Sequence, residues 1–138
     1  MIVVDTNVVA YLYLTGEHSE RSERLLALDS RWVAPLLWRS EFRNILALYL
    51  RKGLLTLDDA LLILRQAEDL FANGEYEISS SHVMSLVDES DCSAYDCEFV
   101  ALAAYLDVPL VTADQQILRN FPGIATSIDA YLAQEGQQ

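Results

Sequence analysis

Basic side chains are scarce in this chain of 138 residues. Nine Lys and Arg stand against 21 Asp and Glu, which gives a formal net charge of −12 and an isoelectric point near 4.3. Proteins that coat nucleic acid do so with clustered Lys and Arg, because neutralising the phosphates releases condensed counterions. This composition therefore argues against tight, nonspecific coating of DNA.

Cysteines and long apolar runs are also few. The two cysteines, Cys92 and Cys97, are too few and too sparsely partnered by histidine for a tetrahedral zinc site, and they give no disulfide framework. We expect both thiols to be reduced and buried. No stretch approaches the ~20 apolar residues of a membrane span, and residues 1–5 lack the basic and apolar regions of a signal peptide. These absences predict a cytoplasmic protein without a membrane partner.

The composition is that of a packed globule. Hydrophobic residues make up 52% of the chain and charged residues 22%. There is no internal repeat, low-complexity tract or Pro/Gly-rich linker. We therefore predict a single domain over residues 1–138.

Strand-like and helix-like segments alternate along the chain. Short apolar runs predict buried strands at residues 2–4, 108–112 and 124–127. A helix is predicted over residues 36–50, with Pro35 near its start and Gly53 at its end. This alternation predicts an α/β sandwich with a mainly parallel sheet.

Three further helix starts carry capping signals. Thr56 and Asp59 form a predicted capping box, and Gly74 is placed to end that helix. Ser79 lies in a serine cluster that we interpret as a helix-entry loop. Ser93 is the predicted N-cap of a helix over residues 94–106.

Two acids follow predicted strands. Asp5 comes directly after residues 2–4, and Asp114 comes two residues after Thr112. Ligand sites of parallel sheets gather outside the carboxyl ends of the strands, so these acids are candidate site residues. A solvated loop aspartate is the alternative for either one, because Asp favours turns.

Glu41 lies on a face of the predicted helix that we expect to point toward the protein core. At helical spacing, Glu41 shares this face with Trp38, Ile45 and Leu48. A carboxylate among apolar side chains has to be paired, protonated or bound to a metal, because an isolated buried charge is too costly. Arg39 and Arg43 lie about 200° round the helix and cannot easily neutralise it. A glutamate at the rim that reaches solvent remains the alternative.

Two more polar residues accompany these acids. Asn44 projects from the same face as Glu41 and is either a hydrogen-bond partner of its carboxylate or a surface amide. Asp96 opens the helix over residues 94–106, three residues after Ser93. The plain explanation for Asp96 is that it forms half of a capping box with Ser93. The same position at a helix N-terminus would also direct its carboxylate into the crevice at the strand ends, so the two explanations are compatible.

Taken together, these segments resemble a family. Asp5-Thr6-Asn7-Val8, Glu41 with Asn44, Ser93-Ala94-Tyr95-Asp96 with Ala101-Leu102-Ala103, and Leu110-Val111-Thr112-Ala113-Asp114 resemble a PIN-domain ribonuclease, in particular the VapC-like toxins of toxin–antitoxin pairs. The resemblance runs from residue 1 to about residue 128.

The resemblance implies a three-layer α/β/α sandwich and a metal-dependent ribonuclease. Asp5, Glu41, Asp96 and Asp114 would converge on one or two Mg²⁺ or Mn²⁺ ions, with Thr6, Asn7 and Thr112 in supporting positions. RNA cleavage would leave a 5′-phosphate. The family also implies an antitoxin that blocks the acidic groove, and a homodimer.

One departure concerns the second ion. Some relatives carry a further acid just after the fourth one, where this chain has Gln115 and Gln116. Oxygen-only ligands favour hard ions such as Mg²⁺, and in two-metal sites both ions stabilise an in-line displacement. Whether one ion or two bind is left open by these glutamines.

Two functions of other classes compete with the nuclease. A phosphoacceptor domain needs a lysine near the last strand, and a haloacid-dehalogenase-type phosphatase also needs an Asp where Asn7 stands. The single lysine, Lys52, is far along the chain from Asp114. A noncatalytic module that docks a basic peptide in the acidic pocket remains open. His18 and His82 are interpreted as surface residues, which disfavours a histidine-based ribonuclease.

The basic residues are unevenly distributed. Eight of the nine lie in the first half: Arg21, Arg24, Arg31, Arg39, Arg43, Arg51, Lys52 and Arg65. A rim built from some of them would hold RNA, and ordinary surface ion pairs are the equal alternative. Tyr11, Tyr13 and Trp38 offer rings for base stacking, although core packing is their more common use.

Overall fold

The computed structural model describes residues 1–135, and this part contains five strands and eight helices. The strands are β1 (Ile2–Val4), β2 (Trp32–Pro35), β3 (Glu75–Tyr76), β4 (Leu110–Val111) and β5 (Ala125–Thr126). The helices are α1 (Thr6–Tyr13), α2 (Ser19–Leu28), α3 (Leu37–Arg51), α4 (Leu57–Leu70), α5 (Ser80–Asp88), α6 (Ala94–Leu106), α7 (Gln115–Asn120) and α8 (Ile128–Glu135).

The five strands form one parallel sheet in the order β3-β2-β1-β4-β5. The first strand of the chain is therefore central, with Val3 opposite Val33 of β2 and Leu110 of β4. Because all pairs are parallel, every strand ends at the same edge of the sheet. That edge is where the loops that follow β1 and β4 meet.

Helices cover the sheet and complete the predicted three-layer α/β/α sandwich. Helix α6 packs against β1, β2 and β4, and α5 packs against α6. Helix α1 contacts α2, α3 and α4, and α2 also contacts α8. Because α6 lies between the sheet and α5, it is apolar on most of its circumference, with a buried run from Phe99 to Ala103. The predicted fold class is confirmed.

The structure corrects several predicted boundaries. The strands predicted at 108–112 and 124–127 are shorter, namely β4 and β5, and the helix predicted at 36–50 is α3, one residue later at each end. Pro35 ends β2 instead of beginning a helix. Strands β2 and β3 were not predicted, because β2 is a four-residue segment that ends in proline and β3 is two half-buried residues.

The predicted caps are confirmed. Thr56 Oγ1 accepts from the Asp59 amide at 3.1 Å, and the Thr56 amide donates to Asp59 Oδ2 at 3.3 Å. Ser79 and Ser93 cap α5 and α6. Gly53 follows α3 with φ +71°, a left-handed conformation that suits glycine.

Gly74 has a different role from the predicted one. Helix α4 already ends at Leu70, and the Gly74 carbonyl accepts from the Ala34 amide of β2 at 2.9 Å. A Cβ atom at position 74 would lie 2.9 Å from the carbonyl oxygen of Trp32 and 3.2 Å from a methyl of Val33. Glycine is therefore required for the close approach of this segment to the sheet.

No helix among residues 1–135 is long and apolar enough to cross a lipid bilayer. The single domain over residues 1–138 stays a prediction, and its last three residues, 136–138, lie outside the described part of the chain.

Gly74→Ala should lower the free energy of unfolding by about 1–3 kcal/mol, because the added methyl group meets backbone atoms that cannot move aside freely. Gly123→Ala is the matched control, since a Cβ at position 123 meets nothing within 4 Å. Urea denaturation of both variants measures the difference. Equal stabilities would show that the Gly74 segment tolerates a side chain.

Candidate active site

Four predicted acids line one open cavity at the carboxyl edge of the sheet. Asp5 follows β1, Asp114 follows the neighbouring β4, Asp96 lies in the first turn of α6, and Glu41 lies on α3. The cavity has a volume of about 260 Å³, and we call it the acidic cavity. Its lining residues are Asp5, Thr6, Asn7, Glu41, Asn44, Ile45, Asp96 and Asp114.

Asp5 is the most deeply buried of these acids, with 8% of its surface exposed. Its Oδ1 accepts from the Thr6 amide at 2.7 Å, and its Oδ2 accepts from Thr112 Oγ1 at 2.7 Å. Burial raises the pKa of Asp5, as do the charges of Asp96 and Asp114, and the two hydrogen bonds oppose this rise. The carboxylate is thus fixed in orientation at the floor of the acidic cavity.

Glu41 is held from α1. Thr6 Oγ1 donates to Glu41 Oε1 at 2.7 Å. Partial burial raises the pKa of Glu41, and the charges of Asp5 and Asp96 raise it further. Arg39 does not neutralise Glu41, as predicted, because its guanidinium donates to Glu75 at 2.5 and 2.7 Å.

The face of α3 around Glu41 is only partly inward. Trp38 is fully buried and Ile45 is half-buried, but Leu48 is 49% exposed. The prediction of an inward Leu48 is wrong because this face runs along the open acidic cavity, which Ile45 still lines, and Leu48 lies beyond it. Asn44 is exposed and lines the acidic cavity without a bond to Glu41.

Thr112 and Ser93 support the acids from outside the lining. The Thr112 hydroxyl donates to Asp5 and accepts from the Asp114 amide at 3.0 Å, so one side chain ties two acids together. Asp114 Oδ1 in turn accepts from the Ile117 amide at 3.0 Å and caps α7. Ser93 Oγ accepts from the Asp96 amide at 3.1 Å. Burial and the Asp114 charge raise the pKa of Asp96.

The acidic cavity has a negative charge that no described neighbour balances. Neither Lys nor Arg is among its lining residues. Among residues 1–135, no three His, Cys, Asp or Glu side chains stand close enough together to hold a metal ion as they are placed. The donor set nevertheless fits a hard divalent cation, because it consists of carboxylate and amide oxygens with no opposing cation.

Glu98 is a fifth acid that sequence reasoning missed. It is half-buried on α6, burial raises its pKa, and its charge contributes to the raised pKa of Glu41. No motif marks it, because Glu41, on which its charge acts, lies far away in the sequence.

The other chemistry-bearing residues lie away from the acids. His18 and His82 are half-buried, not fully on the surface as predicted, and neither lines the acidic cavity. Cys92 and Cys97 are free and buried, as predicted. Gln116 Nε2 donates to the Asp91 carbonyl at 2.9 Å, and Gln115 faces a neighbouring cavity.

Comparison with known proteins identifies the family. The model of the PIN domain family matches residues 2–122, and Ribonuclease VapC3 of Pyrobaculum aerophilum is 30% identical over 128 residues, which are 91% of this chain and 98% of that protein. The chain belongs to the PIN domain family.

Solved structures share the PIN fold over almost the whole chain. PAE2754 of Pyrobaculum aerophilum superposes with a TM-score of 0.75 at 20% identity, covering 99% of this chain and 90% of its own. A toxin–antitoxin complex from Klebsiella pneumoniae gives a TM-score of 0.64 at 14% identity, covering 93% of this chain and 98% of the matched one. At these identities the likeness concerns the fold.

Asp96→Asn should raise the melting temperature of the metal-free protein at pH 7. The folded-state pKa of Asp96 lies above its unfolded value, so the charged carboxylate opposes folding at neutral pH, and this penalty fades as the pH falls through the folded pKa. The gain should therefore shrink in acid. Thermal unfolding in a chelator at pH 7 and pH 4 measures it.

The control for that experiment is Asp58→Asn, which changes an exposed aspartate in the first turn of α4. That variant loses only a favourable helix-dipole contact and should melt slightly lower. A lower melting temperature for Asp96→Asn as well would show that Asp96 has a structural role.

Proposed function

We propose that this PIN domain protein is a metal-dependent endoribonuclease and the toxin of a toxin–antitoxin pair. The observation that carries the proposal is the acidic cavity, where acidic side chains from four distant parts of the sequence meet at one sheet edge. No Lys or Arg is among the residues that line it. A shared cavity of carboxylates is costly unless a divalent ion balances it. The ribonuclease name of the relative from Pyrobaculum aerophilum supports RNA as the substrate.

The metal ligands in this proposal are Asp5, Glu41, Asp96 and Asp114, which would hold one or two Mg²⁺ or Mn²⁺ ions. A bound ion of this kind supplies an acidified water as nucleophile and offsets the charge that develops on the phosphate. The number of ions stays open, because neither Gln115 nor Gln116 lines the acidic cavity and neither adds a ligand for a second ion.

The chain's own residues position these groups. Thr112 and the Thr6 amide hold both oxygens of Asp5, and the Thr6 hydroxyl holds Glu41, so that the carboxylates need little reorganisation during the reaction. Asn7 and Asn44 are exposed at the mouth of the acidic cavity, where their amides are free to donate to phosphate or ribose oxygens. Attack of water on the phosphorus breaks the bond between phosphorus and the 3′ oxygen, which leaves with a proton, so the products are a 5′-phosphate and a free 3′-hydroxyl.

The partner in this proposal is an antitoxin with a basic side chain. The unbalanced carboxylates of the acidic cavity attract Arg or Lys, which competes with the metal for the same oxygens. The complex from Klebsiella pneumoniae, whose fold is similar, is described as a toxin–antitoxin complex. We further propose a homodimer, and the cytoplasm as its location, which the free thiols of Cys92 and Cys97 suit.

A phosphoacceptor function lacks its lysine in the structure. Lys52 caps the C-terminus of α3 and does not line the acidic cavity, so no described ammonium group is placed to contact a phosphorylated Asp there.

Asp5→Asn and Asp96→Asn should each abolish RNA cleavage while the protein stays folded, because each removes one negative oxygen from the acidic cavity. The rate of cleavage of total cellular RNA should fall by about two orders of magnitude or more, the scale seen when a key electrostatic group is lost. The exposed Asp88→Asn serves as control. Cleavage at the wild-type rate by either site variant would refute the assignment.

Cleavage should also depend on Mg²⁺ or Mn²⁺. Excess EDTA should stop it and added Mg²⁺ should restore it, and mapping of the new RNA ends should find 5′-phosphates. Unchanged cutting in EDTA would exclude the metal mechanism. Mg²⁺ binding without any cutting would favour the noncatalytic binding module instead.

A further inference from the structure

Two more cavities lie beside the acidic cavity along α1. The first, which we call the aromatic cavity because Tyr11, His18 and Tyr49 line it, has a volume of about 310 Å³. It shares the lining residues Asn7 and Ile45 with the acidic cavity. The second, which we call the Arg21 cavity, also measures about 310 Å³ and shares Tyr11 and His18 with the aromatic cavity. The three cavities are therefore neighbours, each sharing wall residues with the next, and together they are within reach of an extended ligand.

The Arg21 cavity also reaches the acids from the other side. Thr112, whose hydroxyl donates to Asp5, is among its lining residues. A group bound in the Arg21 cavity thus lies one side chain away from the floor of the acidic cavity.

Arg21 is the only Lys or Arg that lines any of these three cavities within residues 1–135. RNA binding needs local positive charge, because the chain as a whole has a formal charge of −12. Arg39, another arginine that binds carboxylates, is occupied by Glu75 and Glu68.

The guanidinium of Arg21 is already oriented as an anion donor. Its Nη1 donates to Asp129 Oδ2 at 2.7 Å, and its Nη2 contacts His18 Nδ1. The His18 ring beside it packs against Tyr11, with ring centroids 4.6 Å apart. Asp129 is 66% exposed, and a solvent-exposed carboxylate is a weakly held partner.

We propose that Arg21 binds a backbone phosphate of the substrate RNA next to the cleaved bond. This inference rests on the proposed ribonuclease function and assigns a substrate-binding residue to it. The phosphate replaces the Asp129 carboxylate on the guanidinium, which binds phosphate oxygens in the same forked geometry. Asp129 then acts as a competitor that weakens RNA binding in the free protein.

Two substitutions separate this proposal from a structural ion pair between α2 and α8. Arg21→Gln should weaken binding of a short fluorescein-labelled single-stranded RNA of mixed sequence by about tenfold, the loss expected for one charge-assisted contact. Asp129→Asn should tighten binding, because the competing carboxylate is gone. If the pair were only structural, both variants would be less stable than the wild type, and neither would bind RNA more tightly.

Each variant has a control with the same change in charge. Arg24→Gln alters an exposed arginine on α2 outside the three cavities, and Asp107→Asn alters an exposed aspartate after α6. Fluorescence anisotropy in EDTA keeps the RNA intact and gives the dissociation constants. The slope of log Kd against log salt concentration should fall by about 0.7 in Arg21→Gln, as for one lost phosphate contact on a single strand.

Cleavage kinetics in Mg²⁺ provide a second readout. Arg21→Gln should raise KM about tenfold with a smaller change in kcat, since a contact to a neighbouring phosphate that is not itself cleaved contributes mainly to binding. Melting curves check that the variants fold, and if Arg21→Gln does not, the comparison of Asp129→Asn with Asp107→Asn decides alone.

The outcomes separate the two levels of the argument. Equal RNA affinity and KM for Arg21→Gln and Arg24→Gln would overturn the phosphate site, as would an Asp129→Asn variant that binds RNA no more tightly than Asp107→Asn. Wild-type protein that neither binds nor cleaves RNA would instead overturn the ribonuclease function itself.

Discussion

The buried hydrogen bond between Thr112 and Asp5 is the contact on which the arrangement of the site depends. It joins the residues that follow the two adjacent strands β1 and β4, and the same hydroxyl accepts from the amide of Asp114. Without a donor, a carboxylate that is 8% exposed would be a large penalty to folding. The contact therefore sets the spacing of two acids and the pairing of two loops at once.

The remaining acids reach the same place by different physical means. Glu41 depends on a hydroxyl from the neighbouring helix, and Asp96 depends on the position of a helix N-terminus. Both have raised pKa values, with burial the largest cause. The site thus holds individual carboxylates in fixed positions, and no basic side chain lining the cavity balances their negative charge. A bound divalent cation would neutralise that charge and reduce the repulsion between the carboxylates.

Sequence patterns predicted most of this architecture where the signal was local. The strand before Asp5, the helix after Ser93 and the Thr56 capping box each rest on neighbouring residues, and each is present. Strands β2 and β3 were not predictable, because their residues are few and their partners are distant in the chain. The role of Gly74 escaped for the same reason, since the atom that a side chain would meet belongs to Trp32. Glu98 acts on Glu41 across a large separation in sequence, which local spacing does not encode.

The outermost strands of the sheet, β3 and β5, contain two residues each. So short an edge offers almost no row of unpaired amides and carbonyls on which a foreign strand would align. A protein partner consequently gains little from extending the sheet and has to be recognised through helix surfaces and side chains. The same brevity protects the chain from edge-to-edge aggregation, even though more than half of its residues are hydrophobic.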